Sequence, residues 1–165
     1  MSEETLALIR KYNNNIEMSG LGVIAFGIWE VLKFFIKIVA GTDDINGYYM
    51  LVDDVPTPVV KVLVVIFLMC FYGGILFLHV YIGFSAIRFA RARSNKKTFL
   101  IWLCLLAIYS IWSLAAYIGT GNIREWDDGD VITIFVELSF MSIIFDIIYS
   151  FYRIKKIQKK EGLDS

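Results

Sequence analysis

The sequence predicts an all-α integral membrane protein, an antiparallel four-helix bundle with both termini in the cytoplasm. Three observations predict it. Hydrophobic residues make up 58% of the 165-residue chain and its mean hydropathy is +0.64, far above a soluble domain of this length. Four segments, at about 19–39, 59–87, 98–118 and 131–152, each supply the roughly 20 apolar residues that a helix needs to cross about 30 Å of hydrocarbon. The charges, finally, are sorted along the chain although the formal net charge is +0.

Arg10 and Lys11 precede the first segment, Arg88, Arg91, Arg93, Lys96 and Lys97 fill the turn after the second, and Arg153, Lys155, Lys156, Lys159 and Lys160 follow the fourth. Loop 42–58 has no basic residue and loop 119–130 has only Arg124. Because basic loops stay on the cytoplasmic side, both termini and the 88–97 turn are expected inside and loops 42–58 and 119–130 outside, in a plasma membrane of bacterial type. The outer loops carry Asp43, Asp44, Asp53, Asp54, Glu125, Asp127, Asp128 and Asp130. Such a surface attracts cations, but Asp127-Asp128-Gly129-Asp130 is too short for a calcium loop, and solvated loop acids are the simpler reading.

Residues 1–18 read as a cytoplasmic amphipathic segment. Ser2 is a candidate N-cap with Glu3 and Glu4 in the first turn, and Leu6, Ile9 and Tyr12 fall near one face, as in a helix lying on the membrane surface. Asn13 to Asn15 are expected to break the chain before the first crossing. No signal peptide is expected, since this stretch lacks an apolar core ahead of a cleavage site. Pro56 and Pro58 end the first acidic loop and open the second crossing, where a first-turn proline is tolerated. Gly20, Gly22, Ala25 and Gly27, with Gly73, Gly74, Gly83, Ala86 and Ala90, predict close contact of the first two helices with neighbours. Tyr149, Phe151 and Tyr152, with Tyr117 and Trp126 at the other end, fit interfacial aromatic belts. Residues 153–165 form a basic tail into which the fourth helix is expected to run on through RIKKIQKKEG, with Ile154 and Ile157 against membrane or protein and Lys155, Lys156, Lys159 and Lys160 disposed toward anionic lipid headgroups at about 1 kcal/mol each. Membrane lipids are thus the expected partner, beside a second copy or another membrane protein; nucleic acid is not.

The stretch GVIAFGIWEVLKFFIKIVAG, residues 22–41, carries Glu30, Lys33 and Lys37 inside an apolar run. An ionised group at the centre of a bilayer costs about 3 to 15 kcal/mol, so such groups pair or face water. At 1.5 Å per residue, Lys33 and Glu137 each lie about 9 Å from the outer boundary and can meet, while Glu30, about 14 Å down, shares a helix face with Lys33 and Lys37. Asp146 and His79 fall at about 22 and 25 Å from that boundary and form a second candidate pair. Three carboxylates against two lysines leave one charge for a proton, on His79 or on Glu30 itself.

Catalytic chemistry has little to stand on: there is one histidine, no nucleophile motif and no carboxylate pair distinct from the structural charges. No catalytic residue, metal ligand or cofactor is assigned. Cys70 and Cys104 lie in separate helices outside any Cys-x-x-Cys pattern and are expected to be buried. The fourth segment has no arginine ladder, which excludes a voltage sensor. Two function classes stay open. One is a transporter or channel-like protein moving protons or small cations through Glu30, Lys33, His79, Glu137 and Asp146; the other is an accessory or scaffold protein whose buried charges lock its helices or dock a partner.

Overall fold

The computed structural model describes residues 2–40, 58–92, 97–120 and 128–162. Four helices account for them: α1 is Glu3–Ala40, α2 Pro58–Ala90, α3 Thr98–Thr120 and α4 Asp128–Lys160. No strand occurs among the described residues. Each helix is long and apolar enough to cross a membrane, as a multi-pass membrane protein requires. The acidic stretches 41–57 and 121–127, the basic residues Arg93 and Lys96, and the side chains of Lys37, Lys61 and Tyr117 lie outside the described residues.

The start of α1 follows its sequence signal. Ser2 Oγ accepts from the Thr5 amide at 3.2 Å, which satisfies one of the amides that a helix N-terminus leaves open. The break expected at Asn13 to Asn15 does not occur, and α1 runs unbroken for 38 residues. Asparagine is only a mild helix breaker, and here Tyr12 and Ile16, flanking the triplet, are 8% and 0% exposed. Their burial outweighs the local preference. The basic segment after residue 152 belongs to α4 as its sequence leads one to expect: the helix continues through Lys160, with Ile154 2% exposed.

The chain divides into two compact units, Met1–Val23 with Tyr81–Ser165 and Ile24–Val80. In the first unit, Tyr12, Ile16, Gly20 and Val23 recur at helical spacing along one buried face of α1. Phe140, Ile144 and Ile147 do the same on α4, and Phe99, Leu103 and Leu106 on α3, which packs against α4. Phe89 links α2 to both, with ring centroids 5.9 Å from Phe99 and 5.2 Å from Phe151. A Cβ on Gly20 would stand 3.0 Å from the Gly83 carbonyl oxygen, so the α1 and α2 backbones approach closely there. Gly22 faces Ile143 of α4 in the same manner.

In the second unit, α1 and α2 meet at Gly27 and His79, and the Phe34 and Tyr72 rings stack with centroids 4.1 Å apart. Gly73 and Gly74, expected at a helix contact, instead have no atom within 4 Å of an added Cβ. Both cysteines, expected to be buried, are exposed. The surface explains this: Phe67, Phe77, Ile108, Trp112 and Phe135 are all more than 60% exposed, an outward face that suits hydrocarbon, where an exposed thiol or glycine costs little.

These contacts separate the glycines by consequence. An alanine methyl at Gly27 would lie 2.5 Å from His79 Cβ, so Gly27→Ala is expected to lower stability by about 1 to 3 kcal/mol through overpacking. Gly73→Ala should be neutral or stabilising by up to about 1 kcal/mol through helix propensity. Thermal unfolding in detergent compares the two, and equal midpoints would contradict the close contact.

Candidate functional site

The polar residues of these apolar helices are the candidate site, and the structure gives them nearby partners. In the second unit, Lys33 Nζ donates to Glu30 Oε1 at 3.0 Å. The two are i and i+3 on α1, neighbours on a helix surface, and their side chains keep 37% and 27% exposure respectively. This is the pairing within α1 that the sequence allows. Glu137, the other residue considered for Lys33, is half-buried on α4 in the first unit.

His79 is 4% exposed, and its Nδ1 lies 2.8 Å from the Ile75 carbonyl oxygen one turn back. A carbonyl oxygen only accepts, so Nδ1 carries the proton. The ring therefore closes a bond to its own helix, where the sequence allowed a bond between helices. Its Cβ packs over Gly27, three residues before Glu30, so the histidine and the Glu30–Lys33 pair occupy successive turns of one helix pair.

Asp146, the intended partner of His79, belongs to the first unit. There its Oδ2 accepts from Ser19 Oγ at 2.7 Å, which ties α4 to α1. One turn further along α4, Ser150 is fully buried at 0% exposure, and its hydroxyl has no hydrogen-bond partner among the described residues. Neither serine belongs to a motif in the sequence. Their signal was present in the i, i+4 spacing of Asp146 and Ser150, which stacks the two on one helix face.

Two further links hold the first unit. Arg91 donates from Nε to Glu17 Oε1 at 3.0 Å and from Nη2 to the same oxygen. Hydrogen bonding to Glu17, then its charge, raises Arg91 above its ordinary pKa. Arg153 donates from Nε to the Tyr12 hydroxyl at 3.0 Å, and its guanidinium lies 5.7 Å and 5.9 Å from the Tyr12 and Tyr149 ring centroids, within cation–π range. Near the chain ends Thr5 Oγ1 donates to Glu161 at 3.4 Å. Of the basic residues after Arg153, Lys156, Lys159 and Lys160 are exposed and Lys155 is half-buried.

No group of three or more histidine, cysteine or acidic side chains able to hold a metal ion occurs among the described residues. What the arrangement offers chemically is an ion pair, a histidine bonded to its own helix, and a carboxylate that holds one hydroxyl, with a second, buried hydroxyl one turn along the same helix. No protein-family model matches this chain, and neither a curated protein nor a solved structure is significantly similar to it.

The Glu30–Lys33 pair should respond non-additively. Lys33→Met alone leaves a carboxylate in an apolar setting without its cation, whereas Lys33→Met with Glu30→Gln removes both charges. The double variant is expected to be more stable than the single one, with a coupling energy on the order of 1 to 3 kcal/mol in a double-mutant cycle. Additive effects would show that the two groups do not depend on each other.

Proposed function

We propose that this protein is a membrane scaffold or accessory protein, an antiparallel four-helix bundle with both termini in the cytoplasm, rather than a conduit. The observation that carries this reading is that Glu30, His79 and Asp146 each engage a close partner: Lys33 on the same helix, the Ile75 carbonyl on the same helix, and Ser19. A pathway instead needs carboxylates facing a continuous watery route. Groups satisfied so locally settle individual helices, and the Ser19–Asp146 bond ties α1 to α4.

The order of contacts supports the antiparallel arrangement of α1 and α4. Thr5 meets Glu161, Tyr12 meets Tyr149 and Arg153, Ser19 meets Asp146, and Gly22 meets Ile143. As numbers rise along one helix they fall along the other. The lengths support a scaffold. At 1.5 Å per residue, the 38 residues of α1 and the 33 of α4 rise about 57 and 50 Å, well beyond about 30 Å of hydrocarbon. Tyr149, Tyr152 and Tyr12 with Arg153 suit an interfacial belt at the basic end. Beyond it, the first turns of α1 and the last turns of α4 stand together outside the bilayer as a rigid helical stub, with Lys156, Lys159 and Lys160 outward. That stub is the surface a cytoplasmic partner or an anionic headgroup layer would meet.

The second function class, a proton or small-cation transporter through Glu30, Lys33, His79, Glu137 and Asp146, is separated by flux. Proteoliposomes holding the purified protein are expected to pass protons and sodium no faster than empty liposomes between about pH 5.5 and 8, the window in which histidine titrates. Flux above that background, abolished by Glu30→Gln or His79→Ala, would overturn the scaffold reading in favour of transport.

A further inference from the structure

We infer that Asp146, Ser150 and Ser19 form a binding site for one monovalent cation of the sodium class, seated between α1 and α4. Ser150 is the pointer. It is fully buried, and its hydroxyl is without a hydrogen-bond partner among the described residues, a state that native proteins almost always relieve with a bound water or ion. A serine inside a helix has a ready escape, a bond back to the carbonyl four residues earlier. Ser139 on the same helix takes it, donating to the Phe135 carbonyl at 2.7 Å. Ser150 leaves the equivalent carbonyl, that of Asp146, alone. Its oxygen is available on the helix face that also carries the Asp146 side chain one turn back.

The carboxylate has a matching need. Asp146 Oδ2 accepts from the Ser19 hydroxyl, which stabilises the anion by one neutral bond but supplies no positive charge. A carboxylate in an apolar helix pair calls for a counter-charge. A cation beside Oδ1 supplies it, and the Ser150 hydroxyl can turn its oxygen lone pairs toward the same ion with its proton directed away. The Asp146 backbone carbonyl is a third oxygen within the same turn.

The donor set selects the ion. Carboxylate, hydroxyl and carbonyl oxygens suit hard cations, and no thiolate or imidazole is present to favour a transition metal. A calcium or magnesium site gathers several carboxylates, whereas no group of three acidic, histidine or cysteine side chains exists among the described residues. A single formal negative charge balances a single positive one. The site needs no transport pathway: it pins α4 to α1 from within, and it stands or falls separately from the scaffold reading.

The test is the melting temperature of the purified full-length protein, followed by tryptophan fluorescence while sodium replaces N-methylglucamine at constant ionic strength. A ligand that binds only the folded state raises the midpoint by mass action, so a saturable sodium-dependent rise of a few degrees is expected. Ser150→Ala and Asp146→Asn should each abolish that response while helical content by circular dichroism is unchanged. A wild-type midpoint equal in both cations, or a sodium response that survives in Ser150→Ala, would overturn the site and leave a water as the hydroxyl's partner. Should Asp146→Asn not fold, sodium-23 line broadening on the wild type reads binding directly. Excess broadening that saturates supports the site, and its absence refutes it.

Discussion

A charged or hydroxyl-bearing side chain on an apolar helix has no bulk water to bond with, and leaving it unpaired costs more than any single packing contact returns. The organisation of this protein depends on how that constraint is met. Lys33 neutralises Glu30 on the same face of α1, His79 returns its proton to the carbonyl of its own preceding turn, and Asp146 takes the hydroxyl of Ser19. Two of these solutions are each internal to a single helix, the first to α1 and the second to α2. The third joins two helices. It is accordingly the Ser19–Asp146 bond, with Tyr12–Arg153 beside it, that fixes which turn of α1 lies beside which turn of α4, while Glu17–Arg91 ties α1 to the end of α2.

Close packing then holds what the polar bonds align. Apolar side chains are as comfortable in lipid as against one another, so helices in hydrocarbon associate through contact at small residues rather than by hydrophobic burial. Gly20 and Gly22 let α1 approach α2 and α4 within van der Waals distance, and Gly27 does the same beneath His79 in the other unit. The exposed apolar faces, dense in Phe, Ile, Leu and Trp, are left for lipid. A soluble protein of the same helices would need those faces polar.

The number and apolar character of the helices were legible because continuous hydrophobic runs have one economical structure in hydrocarbon. The course of α1 was not. The Asn13–Asn15 triplet reads as a break by local preference, and only the burial of Tyr12 and Ile16, long-range facts, keeps the helix going. The end of α4 was legible, since RIKKIQKKEG continues the helix with Ile154 placed to touch membrane or protein, and the helix runs through Lys160 with Ile154 buried. For the site, local information sufficed for Glu30 and Lys33, three residues apart. It did not reach the Ser19–Asp146 bond, because height along a helix says nothing about which side of it faces which neighbour. Small-residue counting matches close contacts within the chain at Gly20, Gly22 and Gly27 but not at Gly73 and Gly74, because composition marks where helices can approach and not which neighbour they meet.

α1 continues past Asn13–Asn15 and holds its first turns against the last turns of α4. Cross-linking tests this directly: Thr5→Cys with Glu161→Cys, in a background lacking Cys70 and Cys104, places two thiols on the neighbouring turns where Thr5 and Glu161 now share a hydrogen bond. A short bifunctional methanethiosulfonate reagent in native membranes is expected to join them within one chain, giving a monomer of altered mobility that reductant restores. A pair that stays unlinked while Tyr12→Cys with Tyr149→Cys also fails to cross-link would contradict it, and would return the first 18 residues to an independent surface segment.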